Sequence, residues 1–170
     1  MAAKKFLRNV NGYPTEVAGV QASTGTANAG DIIALDDTGK LPASMLPTGI
    51  GADTASMTAS EALAAGAWVN IWSNGGAFAV RNADASGGVA KQAHGFVLTA
   101  VASGGTATVY FEGSNNQVSG MTPGDVWLSA TPGVATATVP TTAAYIAQKL
   151  GVATAATVVN SEIDSPIVLA

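Results

Sequence analysis

From residue 52 to residue 170 the sequence is cut into short apolar runs by turn signals, and this alternation restricts the fold more than any other feature. The runs are 67–72 (AWVNIW), 77–83 (AFAVRNA), 94–101 (HGFVLTAV), 106–113 (TATVYFEG), 125–130 (DVWLSA), 145–153 (YIAQKLGVA), 156–160 (ATVVN) and 166–170 (PIVLA). They are rich in β-branched and aromatic residues, and most are too short for helices, so they predict strands. Turns separate most of them: SNGG at 73–76, ASGG at 85–88 and again at 102–105, GSNN at 113–116, and TPG at 122–124 and 131–133. Short strands at this spacing predict a mainly β fold, a small antiparallel barrel or sandwich. One segment departs from the pattern. TASEALAAG (58–66) has Thr58 as an N-cap with Glu61 three residues on and Gly66 as a stop, which predicts one or two helical turns.

The core of such a fold is modest. Hydrophobic residues make up 48% of the 170, but aromatics only 6%, and alanine and valine dominate the apolar share. Burial stabilises by roughly 25 cal/mol per Å² of apolar surface, and alanine offers little of it, so association with further copies is expected.

The first segment reads differently. Over 1–47 one short strand is expected, DIIAL (31–35), closed by a DDTG turn; before it, ASTGTANAG (22–30) is too small and polar to nucleate a core. The joint LDDTGKLPASMLPTGIG (35–51) carries Pro42 and Pro47, which hold φ near −65° and bias Leu41 and Leu46 away from helix. An extended, semi-rigid connector follows, with Leu41, Met45 and Leu46 as its apolar contacts. The expected organisation is an extended N-terminal anchoring arm with connector, 1–47, and a β head, 48–170.

Charge is uneven. Lys4, Lys5 and Arg8 precede the first acid, and the remainder carries four bases against eleven acids, a net of −7. An acidic body disfavours nucleic acid. With Phe6, the three bases read as an arm contacting an acidic protein surface, or as a solvated terminus. The residues after Arg8 are polar and turn-forming where a signal peptide needs an apolar stretch, and no run of about 18 apolar residues suggests a membrane helix. A soluble protein made in a cytoplasm, without a membrane partner, is expected.

Little in the chain suggests catalysis. His94 is the single histidine and stands at the entrance to a strand, where a backbone-bonded imidazole is the commoner role than a general base. There is no cysteine, so no disulfide and no thiolate metal site. The acids are dispersed, apart from Asp36 and Asp37 in a turn, and no cofactor is expected. The glycine stretches lack the ending of a phosphate loop. Trp68 and Trp72, four apart in one strand with Asn70 between them, share a face; together with Trp127 they read as core, subunit interface or ligand platform.

At LAAGAWVNI, AHGFV, VYFEG, MTPGDVWLS and QKLGVA the sequence resembles a domain of tailed-bacteriophage structural proteins: head fibres, capsid decoration or cement proteins, and tail-fibre parts. The resemblance spans roughly 51–170, and GDIIALDDTGKLPASMLPTGIG resembles the connectors that precede such domains. It implies a small β-barrel or sandwich, commonly trimeric, presented on the outer surface of a virion by an N-terminal segment, with the major capsid protein and its own copies as partners. The alternative it carries is a tail adhesin contacting host glycan.

Overall fold

The structure, a computed structural model, describes residues 4–46 and 51–170. Its contacts divide the chain into two units, Met1–Gly51 and Ala52–Ala170.

In the first unit β1 (Lys5–Val10) and β2 (Tyr13–Ala18) form an antiparallel hairpin. Asn11 and Gly12 close it at φ 53° and 88°, the two positive values a type I′ turn requires. Val10 faces Tyr13, so Pro14 falls opposite Asn9 at a pair that exchanges no ladder hydrogen bonds, and its missing N–H costs nothing there. This corrects the expectation of a single strand over 31–35. That run contributes one parallel bridge, Ile33 to Val20, because its backbone meets the chain beyond β2 at that one residue, with Val20 N–H donating to the Ile32 carbonyl and Ala34 N–H to the Val20 carbonyl, both at 2.9 Å.

The connector is also not extended as far as it is described. Residues Ala43–Met45 form a 3-10 turn, with Met45 N–H donating to the Pro42 carbonyl at 3.0 Å and Ser23 N–H donating to Ser44 Oγ at 3.1 Å. Pro42 therefore opens a turn, a position its fixed φ suits as well as it suits extended chain. Pro47 lies outside the described residues.

The second unit holds a closed barrel of β3 (Thr54–Ala59), β4 (Trp68–Asn74), β5 (Ala77–Asn82), β6 (Gly95–Phe96) and β7 (Thr106–Tyr110), ordered β3-β5-β4-β6-β7. All its pairings are antiparallel except β3 with β5. A second sheet contains β8 (Gly113–Asn115), β9 (Gly124–Leu128), β10 (Ala135–Thr136), β12 (Lys149–Ala155) and β13 (Val158–Ser161), ordered β10-β9-β12-β13-β8. A third, two-stranded sheet pairs β11 (Ile146–Ala147) with β14 (Ile167–Val168).

Strand alternation makes two cores. Val69, Val80, Val97 and Val109 fill the barrel with Ala59 and Leu63. Their neighbours Trp68, Phe96 and Tyr110 point the other way and pack with Val126, Leu128, Leu150 and Val159 of the second sheet. Trp68 and Phe96 are tilted at 5.3 Å, and Phe96 stacks on Tyr110 at 5.6 Å. The barrel is thus lined mainly by small branched residues, while Trp68, Phe96 and Tyr110 pack between its outer face and the second sheet.

The expected helix over 58–66 is absent. Thr58 and Ala59 end β3, and the backbone groups that follow are claimed by other strands: Ala59 N–H donates to Gly105, Ser60 N–H to Val80, and Leu63 and Val101 exchange both hydrogen bonds at 2.9 Å. Ala59 and Leu63 are buried in the barrel, so tertiary burial overrides their helical propensity. The GSNN turn expected at 113–116 is largely strand β8, anchored by buried Asn115, whose Nδ2 donates to the Gly66 carbonyl at 2.9 Å.

Candidate functional site

The N-terminal unit has no buried residue among those described, yet it exposes Leu7 (73%), Tyr13 (75%), Ile32 (54%), Ile33 (58%) and Leu35 (56%). A two-stranded hairpin is marginal in water without a face to pack on. Phe6, Ile32, Ile33 and Leu35 line a groove of about 580 Å³ beside Lys4 and Lys5. Met45 lines a smaller cleft with Val20 and Ile33, while Leu41 is exposed and Pro42 and Leu46 are half-buried. Of the sequence-predicted arm and connector residues, Phe6 and Met45 thus lie against the surfaces around Ile33.

Two of the three basic residues of the arm have acidic neighbours within the unit. Lys5 Nζ lies 3.0 Å from Glu16 Oε2, and Arg8 Nη1 lies 3.7 Å from Asp31 Oδ1. With Lys4 and Lys40 against Asp36 and Asp37, the unit holds four bases and four acids, net zero. Asp36 is committed to its own turn. Its Oδ1 accepts from Lys40 N–H at 3.0 Å, Thr38 Oγ1 at 2.7 Å and Thr38 N–H at 2.9 Å. The Lys40 N–H above all, then the Thr38 hydroxyl, holds this carboxyl below the usual range. Among the described residues no cluster of three or more His, Asp or Glu could hold a metal ion.

In the head the three tryptophans are not brought together. Trp68 is fully enclosed in the chain's own core and cannot join a platform or a subunit interface. Trp72 is half-buried, with the Arg81 guanidinium 4.5 Å from its ring centroid and its Nε1 donating to Ser60 Oγ at 3.1 Å. Trp127 is in the other sheet, opposite Lys149 and Thr136 in the register. Sequence reasoning missed Phe78, which is 82% exposed and flanks, with Trp72, a hollow of about 300 Å³ at the tip of the β4–β5 hairpin. Its signal was on the page: the SNGG turn places the next large residue at a hairpin tip.

A larger, open cavity of about 670 Å³ is lined by Gln92, His94, Glu112, Gln148, Ser161 and Glu162, among others. Its chemistry is largely tied into the scaffold. His94 Nδ1 accepts from Ile71 N–H at 3.0 Å, so the ring proton sits on Nε2, and the Gln92 amide 2.8 Å away must present its oxygen to it. An imidazole held this way has no lone pair left for general-base work. This is the backbone-bonded role expected from its place at a strand entrance. Gln148 is saturated too, accepting from Ala93 N–H and donating to the Ala93 and Asp164 carbonyls.

Comparisons with protein-family models, with curated proteins and with solved structures return no match to this chain. The apolar, coreless N-terminal unit is the feature that most calls for a partner, and the hollow at Trp72 and Phe78 is the second.

Proposed function

We propose that the chain is a non-enzymatic structural protein of a tailed-bacteriophage virion, a capsid decoration, cement or head-fibre protein. It attaches to the major capsid protein through its N-terminal unit and displays its β head on the outer capsid surface. The observation that carries this reading is the pairing of a head that closes its own two cores with an N-terminal unit in which no described residue is fully buried and Leu7, Tyr13 and Ile33 are exposed. Such a unit gains its stability from what it binds. Motif resemblance in the head supplies the virion context. Attachment on this reading is chiefly apolar, since Lys5 and Arg8, first expected to make it, are matched by Glu16 and Asp31 within the same unit.

A tail adhesin is the second reading, favoured by one observation: the exposed Phe78 beside Trp72, a pair of ring faces of the kind sugars stack on. Quantitative analysis of purified virions separates the two. Decoration predicts many copies per particle and a loss of particle stability on deletion of the gene. A few copies per particle, with a defect in adsorption and intact particle stability, would overturn decoration in favour of the adhesin.

A further inference from the structure

The open cavity beside His94 carries charge of a single sign. Its volume of about 670 Å³ lies within the usual range of small-molecule sites, and its lining holds Glu112, Glu162 and Asp164 but no lysine or arginine. All three acids are exposed, and among the described residues none of their carboxylates accepts a hydrogen bond or forms an ion pair. Lys149, whose ammonium is held above its usual range by Asp125 first and by Glu162 and Asp164 after it, is bonded to Asp125 at 3.1 Å. His94 adds no positive charge while its Nδ1 accepts from Ile71 N–H. The sheet itself places two of the acids together: Gly113 pairs with Ser161 at the end of the β8–β13 ladder, so Glu112 and Glu162 are the next residues on the two strands. Like charges opposed in this way are destabilising unless opposite charge lies between them. A second feature points into the same space. Ser161 shares a face of β13 with core residue Val159, which directs it between the second sheet and the barrel, and its Oγ is enclosed there with no hydrogen-bond partner. Such a hydroxyl costs free energy until a donor reaches it.

We propose that this cavity binds an aliphatic polyamine, a flexible chain carrying two or more ammonium groups. The arrangement of the acids decides the class. A divalent metal needs its oxygen ligands within about 2.3–2.6 Å of one point, and among the described residues no three acids converge in that way. Carboxylates set apart along a cavity instead match ammonium groups separated by several carbons. One ammonium group lies between Glu112 and Glu162, a second meets Asp164, and the Ser161 hydroxyl accepts an N–H. Phe111, also in the lining, offers an apolar surface to the methylene chain. The site belongs to the head and is independent of how the N-terminal unit attaches.

Isothermal titration calorimetry of the full-length chain with spermidine, at about 150 mM salt so that general surface charge is screened, tests the proposal. One saturable site with Kd below about 1 mM is expected, and n-butylamine, with its single ammonium group, is expected to bind at least about tenfold more weakly. Glu112→Gln and Glu162→Gln should each weaken spermidine about fivefold or more. Both side chains are exposed, so the substitutions disturb little inside the head, and near-ultraviolet circular dichroism of its tryptophans serves as the folding control. No saturable binding up to about 10 mM spermidine would overturn the proposal. So would binding that magnesium of equal charge displaces as readily, or binding that neither substitution weakens. Trilysine bound more tightly than spermidine would rule out the free polyamine and assign the cavity to a lysine-bearing protein segment.

Discussion

His94 shows how a single residue can look chemical in sequence and be structural in the fold. Its Nδ1 lone pair holds the Ile71 N–H, and half-burial in the head lowers its pKa from the ordinary 6.5. The sign of the effect on stability follows. Above pH 6.5 the ring is neutral in both folded and unfolded chains, and its contribution is fully present. As the pH falls from 6.5 toward the depressed folded value, the unfolded chain takes up the proton first and stability is lost. Urea unfolding at pH 7.5 and pH 5 is therefore expected to show a lower midpoint at pH 5, and His94→Asn, which removes the titrating group, to narrow the difference. An unchanged difference in the variant would place the pH dependence elsewhere. Trp68 and Trp72 teach a related lesson: the period of two correctly puts them on one face, but the second sheet covers Trp68 and Arg81 covers one side of Trp72. No property of the local sequence announces either cover.

Among the elements, β12 faces β13 at Gly151 with no room for a side chain. Its φ is 149°, and an added Cβ would run into the backbone carbonyl of Asn160. Gly151→Ala is expected to destabilise the head by about 3 kcal/mol or more, through backbone strain and a displaced β13. Gly104→Ala is the comparator, because φ is 81° there but the space is open, so about 1 kcal/mol is expected from conformation alone. Thermal unfolding of the two variants checks the order, and equal losses would contradict the packing account. The head's strands were legible because valines and aromatics alternate between glycine turns. The N-terminal hairpin was equally written, in the Asn11–Gly12 pair, but Arg8, Asn9 and Pro14 break the alternation around it. The 58–66 segment failed in the opposite way. Its caps and alanines favour helix locally, and only the barrel's demand for Ala59 and Leu63 turns it to strand and bend.

For the molecule as a whole, the sequence carried the mainly β class, the modest aliphatic core and the uneven charge. It did not carry the division of that core into a valine-lined barrel and an aromatic layer, because which sheet covers the barrel's outer face depends on contacts far apart in the chain. Nor did it carry the pairing of the N-terminal charges, since Lys5 and Arg8 meet Glu16 and Asp31 only once the chain has folded back. The head closes two cores of its own, and the proposed function makes the exposed apolar residues of the N-terminal unit its attaching surface. Attachment through that unit is the central claim, and the most direct measurement is co-sedimentation with phage capsids stripped of this protein, comparing the full-length chain with residues 52–170 alone. The account predicts saturable binding by the full-length chain and none by the head. Equal binding by both, or binding by neither, would contradict it.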